Sequence, residues 1–259
     1  MTSLPFFQVD AFAERPLTGN PAAIMPLERW LDEEVLQAIA AENNLAETAF
    51  TVPSESEGMD FDLRWFTPTV EVNLCGHATL AAAHILAHSE PVRFSTRSGL
   101  LTVSRRGDLL ELDMPSAVPE PAELPELIQA IGIAGETFLS RAGNGNAVVV
   151  VDSEQAVRAV RPDFAALAKL PYLVSVTARG DDQDIASRVF AAFHGIPEDP
   201  VTGSAHTALV PFWAARLGRT EFTALQASPR TGILHCRLEG DRVLLGGHCQ
   251  TVIVGQFQL

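Results

Sequence analysis

Glu198-Asp199-Pro200-Val201-Thr202-Gly203-Ser204-Ala205-His206, followed by Thr207 to Leu217, decides how this chain is read. The run from Thr207 to Leu217 carries a single charge, Arg216, and no polar face. A helix that is apolar all round is a buried helix. Its first turn is Gly203-Ser204-Ala205. The backbone N–H groups of a first turn have no partner inside the helix and form a ready anion site. The same arrangement stands earlier, at Cys75-Gly76-His77-Ala78-Thr79 followed by Leu80 to Ala87. Two buried helices, each opened by a glycine and a polar side chain, predict two halves that meet at one site.

Outward from these two stretches the halves repeat in order. Gly145-Asn146-Ala147 echoes Gly19-Asn20-Pro21, and Arg188-Val189-Phe190 echoes Arg64-Trp65-Phe66. Gly203-Ser204-Ala205 echoes Gly76-His77-Ala78, and Thr231 to Val243 aligns without a gap on Ser98 to Leu110. Ordered matches of this kind favour a duplicated α+β domain with strands wrapped around one central helix per half. Between the halves, Pro115 to Pro125 is proline-rich and reads as a linker.

The remaining elements follow from local pattern. Phe6 to Phe12 and Ala22 to Met25 read as strands around a turn at Arg15 to Pro21. Asp32 to Asn43 is an amphipathic helix with Val35, Leu36, Ile39 and Ala40 on one face, and Glu33 and Glu34 suit its first turn. Glu47 to Val52 and Phe61 to Phe66 read as strands. Ser98 to Leu112 is a hairpin with a Gly107-Asp108 turn.

Composition bounds the function. The 259 residues are 47% hydrophobic and 19% charged, enough for a sizeable core. A net charge of −14 argues against nucleic-acid and anionic-membrane partners, which need a basic face. It leaves an anionic small substrate open. The three cysteines, Cys75, Cys236 and Cys249, are far apart and form no C-x-x-C pair, so neither a disulfide framework nor a zinc motif is signalled. His84, His88, His194, His206, His235 and His248 lack metal-ligand spacing, and Gly143-Asn144-Gly145 is a short turn, not a dinucleotide fingerprint. No metal and no cofactor are expected. The first residues carry no basic or long apolar stretch, and no run is long enough to span a bilayer, so the expected location is cytoplasmic.

Specific strings now join these patterns: N-L-A-E-T-A-F (44–50), C-G-H-A-T-L-A-A-A-H (75–84), G-I-P-E-D-P-V-T-G-S-A-H (195–206), and Q-V-D-A-F with a following T-G-N-P (8–21). Together they resemble the phenazine-biosynthesis-like, or PhzF-like, family over essentially the whole chain. The resemblance implies the diaminopimelate epimerase fold: two pseudo-symmetric α+β lobes, each a mostly antiparallel rolled sheet around a central buried helix. The expected lobes are 1–117 and 118–259, with the last strand, 252–259, returning to the N-terminal lobe as in relatives. The resemblance also implies a homodimer.

The candidate site residues are weighed on pattern and resemblance together. By pattern alone Glu47 is either an exposed edge residue or a carboxylate whose apolar neighbours raise its pKa toward neutrality. The resemblance implies the second role, proton transfer. By pattern alone His77 is a satisfied core histidine, although Gly76 beside it at a helix start shifts that balance. The resemblance implies a place in the substrate site. Asp199 reads as a residue that complements a helix start or, aimed by Pro200, as a substrate contact. The resemblance implies the contact, and it implies that Gly203, Ser204 and Gly76 offer backbone N–H groups to a substrate carboxylate. Cys75 and Thr202 occupy equivalent places. Related racemases and epimerases of this fold carry a cysteine at each, so a hydroxyl at Thr202 disfavours a symmetric two-thiol mechanism. Cys75 stands where a helix start lowers a thiol pKa, but the reading favoured for it is a buried small packing residue.

The expected function is a cofactor-independent isomerase that moves a proton on a small carboxylate-bearing metabolite. Two rivals stand beside it. One is a thiol-assisted epimerase or racemase using Cys75, which exchange at a substrate stereocentre would reveal. The other is a non-catalytic binding protein on the same scaffold, which any turnover lost on changing Glu47 would exclude.

Overall fold

The computed structural model describes residues 2–87, 91–141 and 145–259. His88 and the Gly143-Asn144 part of the expected turn lie outside these residues. In chain order the elements are β1 (Ser3–Ala11), β2 (Asn20–Pro26), α1 (Glu33–Asn43), β3 (Glu47–Pro53), β4 (Phe61–Phe66), β5 (Glu71–Val72), α2 (Gly76–Leu86), β6 (Val92–Thr96), β7 (Gly99–Arg106) and β8 (Leu109–Pro115). They continue with β9 (Glu120–Pro121), α3 (Pro125–Ile131), β10 (Glu136–Ser140), β11 (Asn146–Val150), α4 (Glu154–Ala159), α5 (Phe164–Leu167), β12 (Leu173–Arg179) and β13 (Ile185–Ala191). The last are β14 (Ile196–Asp199), α6 (Gly203–Leu217), β15 (Glu221–Gln226), β16 (Gly232–Glu239), β17 (Arg242–Gly247) and β18 (Cys249–Gln258).

These form two compact units, Met1–Asp113 with Gly246–Leu259, and Met114–Leu245. The first unit therefore ends four residues before the expected 117, and its returning segment begins at Gly246 rather than 252. Within it, β18 runs antiparallel to β1 from Ser3↔Gln258 to Ala11↔Cys249. Thr2 and Leu259 close that ladder by exchanging backbone hydrogen bonds at 2.9 and 2.8 Å.

The two units repeat one pairing scheme. In the first, β1 and β2 are antiparallel, β2 and β3 parallel, β3 and β4 antiparallel, and β4 meets β5 antiparallel and β6 parallel. In the second, β10 and β11 are antiparallel, β11 and β12 parallel, β12 and β13 antiparallel, and β13 meets β14 antiparallel and β15 parallel. The strand behind the parallel partner folds back antiparallel in both, β7 on β6 and β16 on β15.

The duplication extends to single side chains. Arg64 on β4 forms a bidentate pair with Glu71 at 2.7 and 2.6 Å, and Arg188 on β13 does so with Glu198 at 2.8 and 2.8 Å. Each guanidinium lies over the phenylalanine two residues on, 5.1 Å from Phe66 and 5.0 Å from Phe190. A planar fork matched to a carboxylate and stacked on a ring fixes both partners in direction. The glutamates stand on β5 and β14, the short strands that lead into the two buried helices.

Both helices are buried along most of their length. In α2, Ala78, Leu80, Ala81, Ala82 and Ala83 are buried, and the helix touches β1, β2, β3, β7 and β18. Small side chains let strands approach a helix axis closely. In α6 the interior Pro211 has no N–H and leaves the Thr207 carbonyl without its helical partner. The backbone N–H of Ala117 takes that place at 3.0 Å.

That bond also corrects the reading of 115–125 as a linker. Ser116 N–H bonds the Asp241 carbonyl at 2.8 Å, and Glu120-Pro121 pairs with Leu139 and Phe138. Pro125 opens α3. Prolines here mark a strand edge and a first helical turn, both positions that tolerate a missing N–H.

Candidate active site

In the first unit the site grows from three chain reversals. Gly19 takes φ +70°, and a Cβ there would collide with the Ala11 carbonyl oxygen. The turn places fully buried Asn20 at the start of β2. Asn44 closes α1 in the left-handed region at φ 49°, and the chain re-enters as β3 with Glu47 beside Ala22. The third reversal is the entry to α2, where Cys75 is the N-cap and His77 lies in the first turn.

These elements bring Glu47, Cys75, His77 and Asn20 together. His77 Nε2 stands 3.2 Å from Glu47 Oε2. The other ring nitrogen, Nδ1, is 3.2 Å from Asn20 Nδ2 and 3.5 Å from Cys75 Sγ. His77 and Cys75 are 4% and 6% exposed, and the Glu47 side chain 13%. Although they face each other, His77 Nε2 and Glu47 Oε2 are buried without hydrogen-bond geometry between them or to another group.

Burial pushes the Cys75 thiol up to about 11, and the negative charge of Glu47 adds to the shift. This reverses the effect expected from a helix start, because the loss of water around the sulfur outweighs the helix dipole. Burial works the other way on His77, but Cys75 and Glu47 on either side overcome it and hold its pKa well above 6.5. Cys75 is the larger of these two causes and Glu47 the second.

Neither helix start is closed by its own N-cap side chain. Cys75 and Thr202 both hold extended backbone, at φ −145° and −118°. Their carbonyls are taken from inside the helix, Cys75 O by Thr79 Oγ1 at 2.6 Å and Thr202 O by His206 Nδ1 at 2.8 Å. Gly76 and Gly203 begin these two helices.

In the second unit, Asp199 ends β14 and accepts from Thr202 Oγ1 at 2.5 Å. Fully buried Gln226 fastens this loop. Its Oε1 accepts from Thr202 N–H at 2.8 Å, and its Nε2 donates to the Asp199 carbonyl at 2.8 Å and to Thr202 Oγ1 at 3.1 Å. Asn146, the counterpart of Asn20, donates from Nδ2 to the Ser204 carbonyl at 3.2 Å. Sequence reasoning missed Asn20, Asn146 and Gln226 as site residues. The repeated Gly-Asn pair was visible and marks the first two; nothing around Gln226 marks it.

The other candidate groups stay apart from this chemistry. Cys236 is buried in β16, and Cys249 lies half-buried in β18. His248 lies between Glu14 and Asp108 at 3.0 and 3.2 Å. Among the described residues, no helix is long and apolar enough to cross a membrane.

Comparison with known proteins agrees with this architecture. The sequence model of the phenazine biosynthesis-like proteins matches residues 9–255. An uncharacterized isomerase of Pseudomonas aeruginosa is 51% identical over 263 residues, covering 99% of each chain. The crystal structure of a PhzF-family phenazine biosynthesis protein from Enterococcus faecalis superposes with a TM-score of 0.93 at 44% identity, over 100% of both chains. A hydroxyproline epimerase from Agrobacterium vitis, 12% identical, shares the fold with a TM-score of 0.62, over 98% of this chain and 92% of that one. The class is thus an isomerase on an epimerase-type fold. Within that class, the chain belongs to the phenazine biosynthesis-like, or PhzF, family.

Proposed function

We propose that the chain is a cofactor-independent isomerase that shifts a proton within a small carboxylate-bearing metabolite, with Glu47 as the acid/base. The observation that carries this reading is the Glu47 carboxylate, 3.2 Å from the ring of His77 at the start of α2. A carboxylate there takes a proton from an acidified carbon and returns it to another atom on the same face. His77, its pKa held up by the groups around it, polarises the group on which negative charge develops. Gly76 offers a backbone N–H to the substrate carboxylate at the same helix start. In the second unit we assign Asp199, Gly203 and Ser204 as substrate contacts, supported by the matching open start of α6.

One thiol-based alternative keeps a specific observation, the 3.5 Å approach of Cys75 Sγ to His77 Nδ1. A thiol held near about 11 is a poor base at neutral pH, which favours Glu47. The test is a screen of pooled small carboxylic acids in deuterated water. The expected result is a product equal in mass to its substrate apart from incorporated deuterium, formed by the wild type and lost in Glu47→Gln. Turnover that survives in Glu47→Gln and disappears in Cys75→Ala would replace this mechanism with the thiol one.

A further inference from the structure

The same corner of the first unit holds three different donor atoms. The ligand-type atoms of Glu47, Cys75 and His77 all lie within 4.8 Å of one another, and two of the three residues are buried. A tetrahedral ion with bonds of about 2.0–2.3 Å spaces its ligand atoms about 3.3–3.8 Å apart. The group is therefore within about 1 Å of closing on an ion by side-chain rotation. A second observation points the same way. His77 is 4% exposed, and its Nε2 is buried with no hydrogen-bond partner, facing a Glu47 oxygen in the same condition.

We infer that Glu47, Cys75 and His77 form a binding site for a zinc-like divalent cation. The donor set selects the metal. Sulfur excludes magnesium and calcium, which take oxygen ligands, whereas one sulfur, one imidazole nitrogen and one carboxylate oxygen suit Zn²⁺. On binding, the thiol proton and the extra proton of the charged His77 ring both leave to solvent, so thiolate and carboxylate together balance the ion's charge and the ring ligates as neutral imidazole. Three protein ligands leave the fourth position open. The contacts that hold the site without metal act as its frame: Asn20 at the His77 ring, and Thr79 on the Cys75 carbonyl at 2.6 Å. Because the ion occupies the Glu47 carboxylate, metal binding and proton transfer by Glu47 exclude each other. This last consequence rests on the function proposed above; the binding site itself does not.

The experiment uses the metal-free full-length chain without substrate. Zn²⁺ is titrated in competition with a chromophoric chelator, and Co²⁺ serves as a spectroscopic probe. The expected result is one Zn²⁺ per chain, weakened roughly 100-fold or more by Cys75→Ala and by roughly 10-fold or more by Glu47→Gln. Cobalt should show a thiolate charge-transfer band that Cys75→Ala abolishes. His248→Ala, which removes the histidine beside Glu14 and Asp108, should leave binding unchanged. Zinc binding unaltered by Cys75→Ala, binding lost in His248→Ala, or no binding tighter than the micromolar range would overturn the site. Deuterium exchange measured with chelator present tests the isomerase reading separately, so the two can fail independently.

Discussion

Thr202 Oγ1 donates to the Asp199 carboxylate at 2.5 Å, so the hydroxyl best placed to cap α6 is turned away from the helix it precedes. A threonine at an N-cap ordinarily accepts from the second or third backbone N–H of its helix. Here Asp199 and Gln226 claim it, and the first turn of α6 keeps its donors. In the first unit Cys75 at the equivalent place offers only a sulfur, a weak acceptor that the Ala78 N–H approaches.

Gln226 should therefore matter more than a buried amide usually does. Gln226→Met fills a similar volume but leaves Thr202 N–H without its acceptor and the Asp199 carbonyl without its donor. The expected loss is about 2–4 kcal/mol of stability by urea denaturation. A loss below about 0.5 kcal/mol would show that the amide does not fasten the loop, since surface-like substitutions stay within that range.

Replacing Glu47 and Cys75 separates two mechanisms. Glu47→Gln should slow turnover by roughly 10²–10⁴-fold, whereas Cys75→Ala should slow it by less than about tenfold. Substrate affinity should hardly move in either, because the proposed function assigns the substrate carboxylate to backbone N–H groups rather than to these two side chains. Turnover and binding measured on one substrate, with folding verified by circular dichroism, decide the order of damage.

His206 supplies a pH signature. It is fully buried, and burial lowers its pKa to about 4, partly opposed by its bond to the Thr202 carbonyl. Above the ordinary histidine value of about 6.5 both folded and unfolded states are neutral at this residue, and its effect on stability is constant. As pH falls below that, the unfolded chain takes the proton first, so stability drops until the folded chain also takes it near about 4. The drop attributable to His206 is about 3 kcal/mol over the interval. Urea midpoints between pH 4.5 and 7.5 should slope less steeply in His206→Gln than in wild type. Parallel curves would count against the assignment.

Gly19→Ala tests the turn that aims Asn20. The new Cβ would meet the Ala11 carbonyl at a positive φ. The expected cost is about 2 kcal/mol or more, compounded by displacement of Asn20 from the His77 ring. The ring nitrogens of His77, followed by ¹⁵N NMR, should shift with it. Gly58→Ala, also at positive φ but with open space around its Cβ, is the control for backbone strain alone.

Much of the fold was legible because duplication writes each feature twice. The run after Gly203 and the run after Gly76 gave both buried helices nearly to the residue, and Arg64 and Arg188 marked equivalent strands. Glu47, Cys75 and His77 were each readable as candidates, but their grouping was not. Glu47 lies far from the other two in sequence and joins them only through the parallel register of β2 and β3. Gln226 was illegible for a different reason: a glutamine in an apolar strand carries no local signal of the loop it holds. The stretch at 115–125 misled because prolines favour an extended chain whether or not that chain is tied down. Its anchors, Asp241 and the Thr207 carbonyl freed by Pro211, lie roughly a hundred residues away in the chain.

The pairing of β18 with β1 sets an order of events during synthesis. The second unit, Met114–Leu245, is contiguous, so all of its residues have been joined to the chain while the first still lacks Gly246–Leu259. Until that segment arrives, β1 has β2 on one side and an open edge on the other. An open strand edge invites pairing with other chains. The unit begun first is thus completed after the second, and its aggregation hazard lasts until β18 pairs with β1.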